Sequence, residues 1–315
     1  MVKVAFMDPR HLELLRELAD RGTLTAVATA THRTPSAVSQ QLRSAEREAG
    51  MPLVESHGRG VRLTRAGLLL AEGAVDVATA LARVRARLDA LRDAPVGTVT
   101  IGALPSAAEV LVPELVNRLQ DSGIRIVLED FDVAESDFAG RAADHDIVIG
   151  HTITGEAPAG STHLHHRSLA EEPLDVALPV GHRLARRRQL TPDLVAGERW
   201  IGVPEGYPFD TVLIAIENAT GRRIDRVQRL RDNRVVEAMV ARGLGLALLP
   251  RFTTRVRPGV VTKPLTGVRA ARHVVALSRP DVAERVAVRA VLDLLAEIGT
   301  QASSGELPHT GRKRP

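Results

Sequence analysis

The chain has 315 residues, of which 44% are hydrophobic and 25% are charged, so it can bury the cores of two or three units. The formal net charge is +4, and cysteine is absent. Disulfides, thiolate metal sites and cysteine catalysis are therefore excluded, and a reducing compartment, the cytoplasm, is expected. Neither a signal peptide nor an apolar run of roughly 18 residues is recognised, so no membrane partner is expected.

The positive charge is concentrated near the N-terminus. Seven arginines and only three glutamates lie between Arg21 and Arg65. A local excess of this kind suits a polyanionic partner. The abundance of arginine over the whole chain is explained equally well by genomic base composition, so its distribution is the more informative feature.

The first 50 residues are predicted to form three helices. Leucines at helical spacing begin at Leu12, and a short second helix is capped by Thr23. Thr34 is a good N-cap for the third helix, because its hydroxyl can accept a hydrogen bond from a free N–H of the first turn. Pro35 suits the first helical position, since it has no N–H that needs an acceptor. The third helix has an apolar stripe of Val38, Leu42 and Ala45. The residues left on its open face are Ser36, Ser39, Gln40 and Arg43.

A two-stranded wing is predicted after the third helix. Two short apolar segments flank a glycine-rich tip, Ser56 to Gly60, and the wing carries Arg59 and Arg62. Two short helices, a turn, a third helix with a polar face and a wing are the parts of a winged helix-turn-helix. We therefore predict a DNA-binding domain over residues 1–64. A purely structural helical cluster is the alternative, and the basic outer face argues against it.

A long helix is predicted from about Arg65 to Arg92, with Thr64 as its cap. Two series of apolar residues, each with a period of seven, form one seam on it. The members of the seam are Leu70, Ala74, Val77, Leu81, Val84, Leu88 and Leu91. The pattern favours a linker and dimerisation helix over residues 65–93. An amphipathic helix packed on its own domain is the alternative.

Strands and helices alternate from Gly97 onward, which indicates parallel-rich α/β layers. The predicted strands are 98–101, 125–129, 146–150, 173–178, 200–203, 227–230, 246–249 and 273–277. The predicted helices are 107–119, 134–141, 209–219, 235–242 and 282–298. Open α/β sheets bind ligands at the carboxyl ends of their strands, so a crevice between two subdomains is expected.

The predicted effector-binding domain spans residues 97–300. Subdomain I covers about 97–168 and 266–300, and subdomain II covers about 169–265. The chain is expected to pass between them near Leu169–Pro173 and near Val261–Leu265. The polar segment 301–315 is expected to be a disordered tail.

Four motifs resemble those of the LysR-type transcriptional regulators, in the same order and spacing. The first is Thr34 to Leu42, which is similar to that family's recognition helix. The others are 50–55 with 61–67, 172–179 with 181–185, and Val240 to Pro250. Ser56 stands where the family commonly has an arginine, so Arg59 or Arg62 is expected to supply that phosphate contact.

The resemblance implies an α plus α/β multidomain fold: an N-terminal winged helix-turn-helix, a long linker helix and a two-subdomain effector domain like that of periplasmic binding proteins. It also implies a bacterial, sequence-specific transcriptional regulator controlled by a small-molecule effector. The partners implied are double-stranded promoter DNA, the effector, a second copy in a homodimer or tetramer, and RNA polymerase. No enzyme activity, cofactor or metal is expected.

The predicted DNA-binding residues lie around the third helix and the wing. Gln40 can pair with adenine, and Arg43 with guanine or phosphate, while Pro35 can touch a thymine methyl. Arg33, Arg59 and Arg62 are expected to hold phosphates. The full predicted set is Arg33, Thr34, Pro35, Ser36, Ser39, Gln40, Arg43, Arg59 and Arg62.

Two helix starts are the candidate effector sites. Ser106 and Ala107 follow the first strand of the α/β region, where a hydroxyl and free N–H groups can hold a carboxylate. A simple helix cap explains Ser106 equally well. The loop with Glu205, Gly206 and Tyr207 precedes another helix and carries the only tyrosine.

Other classes of protein fit less well. His145, His151, His163, His165 and His166 do not have a common zinc spacing. No nucleotide-binding loop or nucleophile motif is found. A secreted solute-binding protein would leave residues 10–65 without a role. A different winged-helix family with a fused sensor is the remaining alternative, and it predicts the same DNA binding.

Overall fold

The chain folds into two units. The computed structural model describes residues 7–58, 60–91, 95–254 and 257–306. Residues 1–93 and 279–286 form the first unit, and residues 94–278 and 287–315 form the second. Segment 279–286 was predicted to belong to the effector domain. In the structure, the helix within this segment packs on the long linker helix of the first unit.

Three short helices build the first unit, and each begins at a side-chain cap. The hydroxyl of Thr34 accepts a hydrogen bond from the Ala37 amide at 3.3 Å, as the sequence predicted. Thr23 and Asp8 cap the other two helices in the same way. The three helices are α1 (Pro9–Arg21), α2 (Leu24–Ala30) and α3 (Pro35–Ala49). Their core contains Leu15, Val38 and Leu42, of which Leu15 and Val38 are fully buried.

The wing and the linker helix follow in the predicted order. Antiparallel strands β1 (Val54–His57) and β2 (Gly60–Leu63) pair in register, with Val54 opposite Leu63. Helix α4 (Arg65–Asp89) packs against α1 and against α10 (Pro280–Ala283). It ends three residues before the predicted end at Arg92, which lies outside the described residues.

The second unit is a mixed α/β structure. Its strands are β3 (Gly97–Ala103), β4 (Ile124–Asp130), β5 (Ile147–Thr152), β6 (His165–Pro179), β7 (Arg199–Gly202), β8 (Asp225–Arg229), β9 (Ala247–Pro250), β10 (Val260–Pro264) and β11 (Ala271–Ser278). Its helices are α5 (Pro105–Arg118), α6 (Phe138–Arg141), α7 (Pro192–Val195), α8 (Pro208–Thr220), α9 (Asn233–Ala241) and α11 (Val286–Ser304).

The long strand β6 joins two halves of this sheet. Its first half pairs with β11, and its second half pairs with β9 and β10, all antiparallel. Among the described residues, the strand pairs β3–β4, β3–β5 and β7–β8 are parallel, with two further isolated parallel bridges, Trp200–Leu246 and Leu190–Leu265. The expectation of parallel-rich layers was therefore too strong. The antiparallel pairs arise where the chain crosses between the two halves of the sheet, because the outgoing strand β6 and the returning strand β11 lie side by side in opposite directions.

The positions of the crossings differ partly from prediction. Pro173 pairs with Ala271, so β6 leaves β11 at the end of the predicted segment Leu169–Pro173. The return was predicted at Val261–Leu265, but Val260–Pro264 still pairs with β6 in the second half of the sheet. The chain returns only after Pro264, because that strand completes the sheet edge first.

Three other elements also differ. The predicted helix over 134–141 is a 3₁₀ turn (Glu135–Asp137) followed by the single turn α6. The predicted helix over 282–298 is two helices, α10 and α11. Helix α11 continues to Ser304, so the expected tail begins later than Gln301, and residues 307–315 lie outside the described part. No helix among the described residues is long and apolar enough to cross a bilayer.

Candidate DNA-binding face and effector cavity

One face of α3 is polar and open to solvent. Ser36, Gln40 and Arg43 are exposed, and Ser39 is half-buried. Positions three and four residues apart share a helix face, so these four side chains form one stripe. Val38, Leu42 and Ala45 are buried on the opposite side. The structure therefore brings together the four side chains that the sequence placed on the open face.

The start of α3 adds further donors to this face. Pro35 is the first residue of the helix and is exposed, like Thr34 before it. The hydroxyl oxygens of Thr34 and Ser36 lie 3.0 Å apart. The positive end of the helix and its free N–H groups make this end attractive to an anion.

Gln41 is a neighbour that the sequence did not single out. Arg33 donates a hydrogen bond to the Gln41 side-chain oxygen. The Gln41 amide in turn donates to the Arg10 carbonyl at 2.6 Å. This chain of bonds holds the exposed Arg33 guanidinium beside the beginning of α3, and only the folded arrangement reveals it.

Of the two wing arginines predicted to bind phosphate, Arg62 lies within the described residues. Arg62 pairs with Glu55 on the facing strand, and both side chains are about half exposed or more, at 64% and 48%. Exposed ion pairs contribute little to stability, so Arg62 is available to exchange this partner for a phosphate. Arg59 lies outside the described residues.

The predicted seam of α4 is divided in two. Val77, Leu81, Val84, Leu88 and Leu91 are exposed, with exposed fractions from 39% to 82%. Leu70 and Ala74 were predicted to be in the same seam, but Ala74 is only 3% exposed and Leu70 packs on the core of the first unit. The prediction that Leu70 and Ala74 belong to the same exposed seam is therefore wrong, because the side of α4 that carries them is covered by the first unit itself.

A cavity of about 1300 Å³ lies in the second unit. Ser106 and Tyr207 line it, as two of the five predicted effector residues. Ala107, Glu205 and Gly206 are not part of its wall. Ala107 is 1% exposed beneath the first turn of α5, and the Glu205 side chain points to solvent, where it pairs with Arg229 at 3.3 Å.

Arg272 lines the cavity and forms a buried ion pair with Glu172; we call the part of the wall at Arg272 the floor. Arg272 on β11 and Glu172 on β6 face each other across the two crossing strands, and their side chains are 1% and 0% exposed. Two guanidinium nitrogens of Arg272 donate to Glu172 at 2.9 and 2.7 Å. Glu172 also accepts hydrogen bonds from the Phe252 and Thr253 amides at 2.8 and 2.7 Å. This pair is thus fully hydrogen-bonded, as a buried pair must be.

Arg272 uses its remaining donors on three side chains. It donates to the hydroxyls of Ser106 at 3.0 Å and Thr253 at 2.8 Å. Its last N–H lies 3.5 Å from Nδ1 of His151. Burial, and secondarily the charge of Arg272, holds the pKa of His151 well below its usual range. His151 is therefore neutral at physiological pH.

Tyr207 links two other residues of the cavity lining, Asp132 and Arg231. Its hydroxyl donates to the Asp132 carbonyl at 3.4 Å and accepts from Arg231 at 3.3 Å. Burial raises the pKa of the Asp132 carboxyl, although Arg231 opposes the shift. Burial likewise raises the pKa of Glu237 in the wall. The lining of the cavity therefore includes carboxyl groups, Asp132 and Glu237, as well as the guanidinium of Arg231.

Sequence reasoning missed most of the cavity wall. His151, Thr253 and Arg272 lie on separate strands or loops, more than a hundred residues apart at the extremes. No local motif marks them. His151 was considered only as part of a zinc cluster; among the described residues no group of three potential ligands could hold a metal.

Comparison with known proteins matches both units. The model of the bacterial regulatory helix-turn-helix proteins of the LysR family matches residues 9–68. The LysR substrate binding domain matches residues 92–299. The Hca operon transcriptional activator HcaR of Escherichia coli K12 is 28% identical over 272 residues, which cover 83% of this chain and 88% of HcaR. Transcriptional activator protein LysR of the same organism is 28% identical over 256 residues, 79% of each chain.

A solved structure gives the same fold. Full-length OxyR from Pseudomonas aeruginosa, in variant form, superposes with a TM-score of 0.66 at 19% identity, covering 92% of this chain and 95% of OxyR. Both units match the domains of DNA-binding transcriptional regulators. The chain belongs to the LysR family, whose regulators bind DNA and are typically controlled by a small-molecule effector.

Proposed function

We propose that α3 reads the major groove of promoter DNA with Ser36, Ser39, Gln40 and Arg43. The single observation that supports this most strongly is their shared exposed face, opposite a fully buried apolar stripe. Gln40 pairs with a base edge, and Arg43 contacts guanine or phosphate. Thr34 and Pro35 approach the same strand at the helix start.

Phosphate contacts come from the arginines that flank α3. Arg33 and Arg62 are exposed on the loop before α3 and on the wing. The same role is proposed for Arg59, which lies outside the described residues. These contacts fix register on the duplex without reading sequence.

Footprinting on the DNA upstream of the chain's own gene tests this proposal. The wild-type chain is expected to protect a site there, and Gln40→Ala is expected to weaken protection. Gln120→Ala, which removes the same side chain from an exposed position in the second unit, serves as the matched control and leaves the footprint unchanged. Absence of any protected fragment at low salt would reject the DNA-reading assignment.

We further propose that the exposed part of the α4 seam, Val77 to Leu91, pairs with a second copy. Four exposed apolar side chains at heptad spacing on α4 are typical of a coiled-coil dimer, and the exposed Leu91 continues the spacing just after the helix ends. Light scattering of Leu81→Ser/Leu88→Ser against Arg85→Ser, a change off the seam, tests it. The first variant is expected to be monomeric and the second dimeric. Two dimeric variants would contradict the assignment.

The remaining partners follow from the same assignment. We propose that the effector occupies the cavity lined by Ser106 and Tyr207, in a protein that acts in the cytoplasm. One relative of known structure, full-length CbnR, was determined in complex with its target DNA, with a TM-score of 0.51 at 16% identity over 94% of this chain. Assembly to a tetramer and contact with RNA polymerase are extensions of this proposal, tested by crosslinking at the promoter.

A further inference from the structure

His151 has a ring nitrogen that no described residue satisfies. Only 7% of His151 is exposed, and it lines the cavity. Its Nδ1 accepts from Arg272, which can only donate, so the neutral ring carries its hydrogen on Nε2. Within the described ranges, that Nε2 has no hydrogen-bond partner. A ligand oxygen in the cavity would supply the acceptor that this N–H lacks within the described residues.

Two hydroxyls in the same wall are also incompletely used. Ser106 accepts from Arg272 at 3.0 Å, and its own hydrogen has no acceptor in the described part of the chain. The hydroxyl oxygen of Thr254 is buried and has no partner among the described residues. The Ser106 hydroxyl and the His151 ring both contact the guanidinium of Arg272, so their free donors lie in the same part of the cavity.

The floor supplies these donors without net charge. All five N–H groups of Arg272 have partners, and Glu172 neutralises the guanidinium. A ligand oxygen at this floor therefore meets neutral donors. Recognition there depends on hydrogen-bond geometry more than on the charge of the ligand.

Aromatic side chains are concentrated around the same place. The whole chain has only five Phe, one Tyr and one Trp, yet Phe131, Tyr207 and Phe209 all line the cavity. Phe209 contacts the His151 ring edge-on, with 5.6 Å between ring centres. Gly102 makes room for Phe131, since a Cβ there would lie 2.5 Å from its ring. Aromatic walls of this kind favour a planar ring in offset or edge-on contact.

We propose that the effector is a planar aromatic compound bearing a carbonyl or carboxylate oxygen, and that His151 and Ser106 are its paired hydrogen-bond donors. The ring lies among Phe131, Tyr207 and Phe209, and the oxygen lies at the floor. This inference rests on the proposed effector role of the cavity and adds the ligand class and the specificity-determining residue His151.

Binding of small probes to the full-length chain tests the ligand class. Benzamide, benzoate, cyclohexanecarboxamide and acetamide are titrated by ligand-observed NMR. Benzamide is expected to bind at least threefold more tightly than the non-planar cyclohexanecarboxamide, and acetamide is expected not to bind. Benzoate is expected to bind no more tightly than benzamide, because the floor carries no net charge. Benzoate binding more than tenfold tighter would overturn the neutral-donor account.

Variants test the two donors. His151→Phe keeps a ring in the aromatic wall but removes the donor, and it is expected to weaken benzamide about two- to tenfold, the range of one neutral hydrogen bond. Ser106→Ala is expected to have an effect of the same size. His151→Gln keeps an N–H and is expected to recover most of the affinity. His182→Phe, at a histidine outside the cavity, is the control.

The outcomes separate this inference from the proposed function. If benzamide binds no better than acetamide while the chain still protects promoter DNA, the ligand class is wrong and the regulator assignment stands. If His151→Phe and His182→Phe bind benzamide equally, His151 is not a donor to the ligand. Loss of DNA protection with aromatic binding intact would instead reject the DNA-reading assignment.

Discussion

The face of α3 and the floor of the cavity are both polar, but they are built in opposite ways. On α3, Gln40 and Arg43 are exposed to solvent. On the floor, Arg272 is 1% exposed, and each of its N–H groups already has a partner within the chain. The first surface presents side chains to a partner, and the second satisfies its charge internally.

This difference separates the two kinds of recognition. An open arginine attracts a polyanion and releases counterions, so its contribution depends on salt. A neutralised, buried arginine instead fixes the positions of Ser106 and His151. DNA binding is therefore expected to be governed by charge, and effector binding by shape and neutral hydrogen bonds.

Removal of Arg272 is expected to have the largest effect. Arg272→Leu leaves Glu172 as a buried carboxylate without its counter-charge, which costs about 3–5 kcal/mol. For a unit of this size that lowers Tm by roughly 10 °C or more, measured by calorimetry. Arg167→Leu breaks an ion pair with Asp293 whose side chains are 46% and 61% exposed, and it should cost less than about 1 kcal/mol. Equal losses in the two variants would contradict the contrast.

Changes on α3 are expected to affect DNA binding next most strongly. Gln40→Ala should cost about 1–3 kcal/mol on the operator with no change in salt dependence, because the side chain is uncharged. If Arg43 binds a phosphate, Arg43→Ala should lower the logarithmic salt slope by about one. Arg222→Ala, at an exposed arginine of the second unit, is the control in binding titrations at several salt concentrations. A changed slope in Gln40→Ala would show that the face is assigned wrongly.

Loss of the α3 cap is expected to have a smaller effect. Thr34→Ala removes the hydrogen bond to the Ala37 amide and should destabilise the first unit by about 1 kcal/mol, measured by chemical denaturation. Thr29 lies inside α2, and its hydroxyl bonds only to the Thr25 carbonyl. Thr29→Ala should therefore be neutral or slightly stabilising. A larger loss at Thr29 than at Thr34 would refute the cap argument.

The smallest expected effect concerns Glu237. Burial raises its pKa in the folded chain, so the stability that its protonated form contributes is present below the unfolded pKa and lost as pH rises through the folded pKa. Glu237→Gln should therefore raise the free energy of unfolding at pH 7 by less than about 1 kcal/mol, since solvent partly screens the charge, and this gain should shrink toward pH 4. Glu205→Gln, at a side chain that is 83% exposed, is the control in denaturation at the same pH values. A gain independent of pH would contradict the burial argument.

The two regions also differ in how far the sequence predicts them. The N-cap Thr34, the proline Pro35 and the apolar stripe that ends at Ala45 all lie within one segment of twelve residues. Local periodicity was therefore sufficient to identify the open face of α3. Ser106 was found for the same reason, since it lies at a helix start. The roles of His151 and Arg272 were not found from the sequence, because these residues come together only when β5 and β11 lie side by side. The covering of Ala74 likewise depends on tertiary packing that a heptad pattern does not reveal.

The salt dependence of DNA binding tests the central claim most directly. Affinity of the wild-type chain for its promoter site is measured from about 50 to 200 mM salt, with benzamide binding measured in parallel. The account predicts that the logarithm of DNA affinity falls steeply with the logarithm of salt concentration, with a slope steeper than about −2, because several arginine–phosphate contacts are made. Benzamide affinity should stay nearly constant. A flat slope for DNA, or equal slopes for the two ligands, would contradict the account.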